Sequence, residues 1–168
     1  APAAGGLGEG DKALARAELH LNGNVTDLSA LSMGSRLKIG ENRADRAALS
    51  FLRMAPESYR EAAARYGEAS ALIGLVDIER SRRAALDQAR ALARISEDVG
   101  GREGYDAAVA ALRRLLEGVD SLEDSAAFAE VEDALAGALD GLAQATGDRA
   151  LRGEALAHCR RGLDHLQR

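Results

Sequence analysis

The stretch from Phe128 to Leu163 constrains the fold of this chain most, because it holds a complete helix, turn and helix. Phe128, Val131, Leu135, Ala138, Leu139 and Leu142 recur at spacings of three and four, which places them on one stripe of an α-helix. Glu130, Asp133 and Asp140 lie off that stripe. Thr146-Gly147-Asp148 interrupts the pattern, with Gly147 suited to a helix C-terminus and Asp148 to the N-cap of the next helix. The second helix offers Leu151, Ala155, Cys159, Leu163 and Leu166 as its apolar line. A lone hairpin cannot bury two such stripes, so it is expected to stack on similar neighbours.

The composition agrees with close helix packing. Hydrophobic residues make up 46% of the 168 positions but aromatics only 3%, and 36 positions are alanine. A core with so few rings gains its burial from many short Ala and Leu contacts. The length is enough for one domain with a sizeable core. A net charge of -5 describes an ordinary surface and argues against a nucleic-acid binder. Twenty arginines stand against two lysines, a bias that fits a GC-rich bacterial genome. No apolar run approaches the ~20 residues of a membrane-spanning helix. Cys159 is the single cysteine, so neither an intramolecular disulfide nor a multi-cysteine metal site can form. Its helical position predicts a small buried apolar residue. The chain starts APAAGG without methionine and reads as a processed end or a fragment. The cytoplasm is the expected compartment, or the periplasm if that start is a mature end.

Residues 1–10 carry four glycines and no periodicity, and read as a disordered lead. Gly6, Gly8 and Gly10 are spaced as in a phosphate loop, but no strand precedes them and no Lys-Ser/Thr follows. Asp11 to Leu21 predicts a short helix ended by Asn22-Gly23, a dipeptide that could instead turn a small hairpin. Asn24-Val25-Thr26 fits a glycosylation sequon, read here as a chance match. Residues 27–40 read as an irregular linker. Helices are then predicted from Glu41 to Met54, from Pro56 to Val76 with Asp77 at its end, from Arg80 to Val99, from Tyr105 to Leu116, and through the opening hairpin. Pro56 suits a first turn, Gly100-Gly101 a stop, and Asp124 or Ser125 a cap.

Overlaying these helices exposes an internal repeat. Tyr59-x-Glu61-Ala62-Ala63-x-x-Tyr66 matches Tyr105-x-Ala107-Ala108-Val109-x-x-Leu112, and both overlay Arg152-x-Glu154-Ala155-Leu156-x-x-Cys159, at offsets of 46 and 47. Ile95 falls where Leu142 stands, whereas Gln88 replaces the apolar Leu135. The pattern defines three hairpins, 41–77, 79–118 and 124–167, within a repeat domain of residues 41–168.

The run Leu135-Ala136-x-Ala138-Leu139-x-x-Leu142-Ala143-x-x-Thr146-Gly147-Asp148, with Glu154-Ala155-Leu156 and Arg160-Arg161-x-Leu163, resembles a bacterial variant of the tetratricopeptide repeat. In that variant the first helix reads NLGxALxxLG, a TGD turn follows, and the second helix reads EEAVxxYRxAL. Ala136 and Ala143 stand where the family prefers glycine, Arg152 where leucine is usual, and Cys159 where an aromatic is usual, departures that a terminal repeat would tolerate. The resemblance implies an all-α fold of tandem antiparallel helical hairpins, a right-handed solenoid of about three repeats after an N-terminal helix. It also implies a non-enzymatic protein-interaction or scaffold module without cofactor, whose first helices line a concave groove for a peptide or partner helix.

Enzyme-like features are sparse. His158 and His165 are seven apart on one helix face, a spacing open to a metal pair, but no third ligand is near in sequence; a solvated helix end is the expectation. No nucleophile motif occurs. Two charge stripes are more informative: Arg80, Arg83, Arg90 and Arg94 on one helix, and Glu130, Asp133 and Asp140 on the corresponding helix one repeat later. From these the groove contacts are expected to be Arg83, Arg90, Glu130, Asp133 and Asp140, unless the charges merely pair with one another. The competing readings are a helical bundle that holds a small ligand or metal, or works as an enzyme, and a self-association module forming a homo-oligomer.

Overall fold

The computed structural model describes residues 32–74, 76–119 and 124–167. They form six helices: α1 (Met33–Phe51), α2 (Pro56–Ile73), α3 (Ile78–Val99), α4 (Glu103–Glu117), α5 (Ser125–Thr146) and α6 (Arg149–Leu166). Among the described residues there is no strand, and no helix is long and apolar enough to cross a membrane. The expected disordered lead and the helix at 11–21 lie outside the described residues.

The helix ends follow their local chemistry. Ser32, Asp77, Asp124 and Asp148 each cap a helix by accepting a backbone N–H, from Ser35, Arg80, Ala127 and Ala150 respectively. Pro56 opens α2, where its missing N–H is no loss. Gly100 and Gly147 close α3 and α5 with φ of 80° and 74°, a region that glycine enters without strain. Asp77 therefore starts α3, whereas the sequence reading had it end the helix before.

One boundary differs substantially. The linker expected up to residue 40 is helical from Met33. Gly40 reads as a breaker in one dimension, yet in the fold it lets α1 close on α2: a side chain there would collide with that of Ile73. Ile39 beside it is fully buried.

Each helix packs on the next in sequence, and α3 also touches α5. The main core runs through α3 to α6, where Leu86, Leu112, Val131, Leu135, Leu139 and Leu142 meet. Leu135 and Leu142 are 0% and 5% exposed, as their stripe predicts. Smaller clusters join α1, α2 and α3 through Ala47, Ala62, Tyr66 and Ala91, and through Ala69, Ile73 and Ala84.

The last helix departs from its expected phase. Ala155, His158 and Gly162 are the buried residues of α6, while Cys159 is exposed and Leu163 and Leu166 stand mostly in solvent. Only Ala155 of the predicted line is buried. The reason is that α6 has a packing partner on one side only, so the turn of helix pointing away from α5 stays uncovered even where it is apolar.

Candidate functional site

The described surface is indented along the seam between α3 and α5, which run side by side. At the start of the two helices, Glu79, Arg82, Arg83 and Leu86 face Ala127, Glu130 and Val131 across a depression of about 250 Å³. Arg82 closes its end through an ion pair with Asp124 at 2.6 Å. Farther along, Ala89, Arg90, Ala93, Arg94 and Glu97 face Asp133, Ala134, Gly137 and Ala138 across a second depression of about 370 Å³. Leu112 and Tyr105 of α4 lie in its floor and Phe51 of α1 at its edge. The floor is shallow and apolar because the residues there are mostly alanine and glycine, and the rim carries charge.

A bridge separates the two depressions. Glu130 Oε1 accepts from Arg83 at 3.0 Å and from Arg90 at 3.2 Å, while Asp87 holds Arg90 from the other side at 3.1 Å. Arg94 donates to Glu97, which pushes its already high pKa higher, and lies over the Tyr59 ring at 5.9 Å. Burial raises the Tyr105 phenol above its usual pKa, with the Glu97 charge adding to the shift. Asp133 makes no ion pair among the described residues, and it is exposed.

Of the five expected contacts, Arg83, Arg90, Glu130 and Asp133 line this seam. Three of them are paired with one another, so the arginine stripe and the acidic stripe meet across the helices and hold α3 against α5. Exposed pairs of this kind each contribute ~0 to 1 kcal/mol. Asp140 lies elsewhere, on the side of α5 that faces α6, where it accepts from Gln144 at 2.7 Å and stands 3.9 Å from Arg152. Asp133, seven residues earlier and so nearly in line with it along α5, lines both the seam and the depression beside α6. Arg80 binds Glu41 and Asp77 instead of the seam. The sequence reading missed Gly137, Tyr105 and Phe51. Gly137 could have been found from its place one turn beyond Asp133, but Tyr105 and Phe51 arrive from other helices and carry no local signal.

The histidines correct a second expectation. His158 is 6% exposed, and its Nδ1 bonds to Glu132 Oε2, a carboxylate only 1% exposed. Arg161 Nε meets the other oxygen of Glu132 at 3.2 Å, and Glu154 stands 3.6 Å from His158 Nε2 while accepting from Arg113 at 2.6 Å. A polar chain thus ties α4, α5 and α6 together. His165 packs on Phe128 with ring centroids 4.4 Å apart. Among the described residues no three His, Cys, Asp or Glu side chains converge as a metal site.

Compared with protein-family models, with curated proteins and with solved structures, the chain matches none.

Proposed function

We propose that this chain is a non-enzymatic interaction module built of tetratricopeptide-like helical hairpins, α1–α2, α3–α4 and α5–α6, and that it binds an extended peptide or a partner helix along the α3–α5 seam. The observation that carries this reading is the open apolar floor of the larger depression, flanked by Arg90 and Arg94 on one wall and by the unpaired Asp133 on the other. An extended segment laid there would bury small apolar side chains on Ala93, Ala134 and Gly137, with a basic residue toward Asp133 and an acidic one toward Arg90 or Arg94. The register of the hairpins supports the same reading. Ala62, Ala108 and Ala155, equivalent by the offsets of 46 and 47, are all buried. The core residues of α3 and α5 are committed to packing, which leaves their charged rims for recognition.

The test is a selection of displayed random peptides on the immobilised protein, followed by binding measurements on the selected sequences. Peptides of mixed charge whose affinity falls with salt and with Asp133→Asn support the seam. Selected peptides indifferent to Asp133→Asn and to Arg94→Ser would refute it.

A further inference from the structure

The outer face of the last hairpin repeats a seat that is filled elsewhere in the molecule. Val109, Leu112 and Val119 of the second hairpin are buried in the cluster that α5 completes. Forty-seven residues on, at the same register, stand Leu156, Cys159 and Leu166. Leu156 is 59% exposed, Leu166 65%, and Leu163 between them 58%. Two connected depressions run along this face, and Cys159 lines both. The seat for α5 carries Arg83 and Arg90 on its α3 rim, and this one has two different edges. On the α5 edge, Asp133 and Asp140 replace Leu86 and Ala93. On the α6 side stand Arg152, 3.9 Å from Asp140 across the groove, and the exposed Arg160.

We infer that this face is the contact surface for a second copy of the chain, related by a two-fold axis along the groove between α5 and α6. Such an axis lays the acidic edge of one copy over the arginine edge of the other, twice, and brings the two leucine rows together between them. A head-to-tail arrangement lacks this match, because the exposed side of α1 presents Lys38 and Asp45 where α5 presents Val131 and Ala138 to its seat. A face two helices wide and one 18-residue helix long covers about 500 Å² per copy. That is at the small end of specific interfaces, so the dimer is expected to be reversible and concentration-dependent. The inference rests on the hairpin register proposed above; Asp133 lines both surfaces, so a second copy and a seam-bound peptide would compete for that carboxylate.

The native thiol supplies the test, since Cys159 lies mid-face, near the axis, and is the chain's single cysteine. Sedimentation velocity over a dilution series of the full chain is combined with mild copper-phenanthroline oxidation. The expected result is a monomer–dimer equilibrium whose dimer is trapped by a Cys159–Cys159 disulfide. Leu156→Glu with Leu163→Glu keeps the thiol and changes only exposed positions. It is expected to weaken dimerisation at least about tenfold, suppress the crosslink and leave the circular-dichroism melt in place. A chain that stays monomeric at every concentration overturns the proposal and leaves the face to another occupant. So does a dimer that survives the double substitution, or one that oxidation fails to trap through Cys159. If the double variant unfolds, Arg152→Glu, at an exposed site, is measured in its place, and an unweakened dimer then overturns the proposal.

Discussion

The ring of Tyr105 on α4 occupies the space that any side chain at Gly141 on α5 would fill. The glycine is therefore a contact surface within a helix, where its poor helical propensity is offset by the close approach it permits. Gly141→Val should force the ring out of place and destabilise the protein by about 1 to 3 kcal/mol in urea unfolding. Tyr105→Ala made alone costs its own burial. Combined with Gly141→Val it should show a non-additive recovery, because the collision is gone. Additive losses would mean that the two residues do not meet.

The buried Glu132 has its two oxygens answered by His158 and Arg161. His158→Leu leaves it with Arg161, which is half-exposed, and should cost about 3 to 5 kcal/mol. Replacing Glu132 and His158 together by leucine should recover much of that loss, since a buried ion pair adds little over an apolar pair of similar size. A double variant as unstable as the single one would show that the pair is not isolated energetically from the rest of the chain running to Glu154 and Arg113.

Leu135 is wholly buried in the core that α3 to α6 share. Its truncation to alanine should cost about 2 to 5 kcal/mol by chemical denaturation. A loss under about half a kcal/mol would contradict the helix phase on which the packing depends.

Acid should loosen the junction of α4 with α6. The hydrogen bond from Arg113 holds the Glu154 carboxyl below the usual carboxylate range, against the opposing effect of burial. A depressed folded pKa stabilises above the unfolded pKa and loses that contribution as pH falls through the folded value. The stability difference between the native chain and Glu154→Gln should then be constant above about pH 5 and shrink toward zero as the solution becomes more acid. Because Glu154 is partly exposed, that difference should stay under about 1 kcal/mol. A difference that grows on acidification would reverse the assignment.

Helix order and most helix ends were legible in the sequence, because they depend on local chemistry: periodic leucines, Asp124 and Asp148 as caps, Gly100 and Gly147 as stops. The start of α1 was not, because Gly34 and Gly40 look like breakers until Ile73 is seen against Gly40. Burial on α6 was misread for a related reason. Periodicity marks which residues share a face, and it does not say whether a neighbour covers that face; Leu163 and Cys159 have the pattern without the cover. Glu132 looked like one acid among many on a charged helix, and its partner lies 26 residues away. Of the charge stripes, Arg83, Arg90 and Glu130 face one another while Arg80 and Asp140 do not, and the pairing through Glu130 emerges only with α3 and α5 side by side.

The most direct test of the seam as a binding surface is Gly137→Leu. Gly137 lines the larger depression, and a side chain added there meets open space, so the substitution fills the site without disturbing the packing. Exchanging a helical glycine for leucine should also raise stability slightly, by up to about 1 kcal/mol. Fluorescence anisotropy with a labelled peptide selected on the native protein should therefore show binding weakened at least about tenfold in a variant that melts no lower than the native chain. Undiminished binding of that peptide to Gly137→Leu would contradict the account.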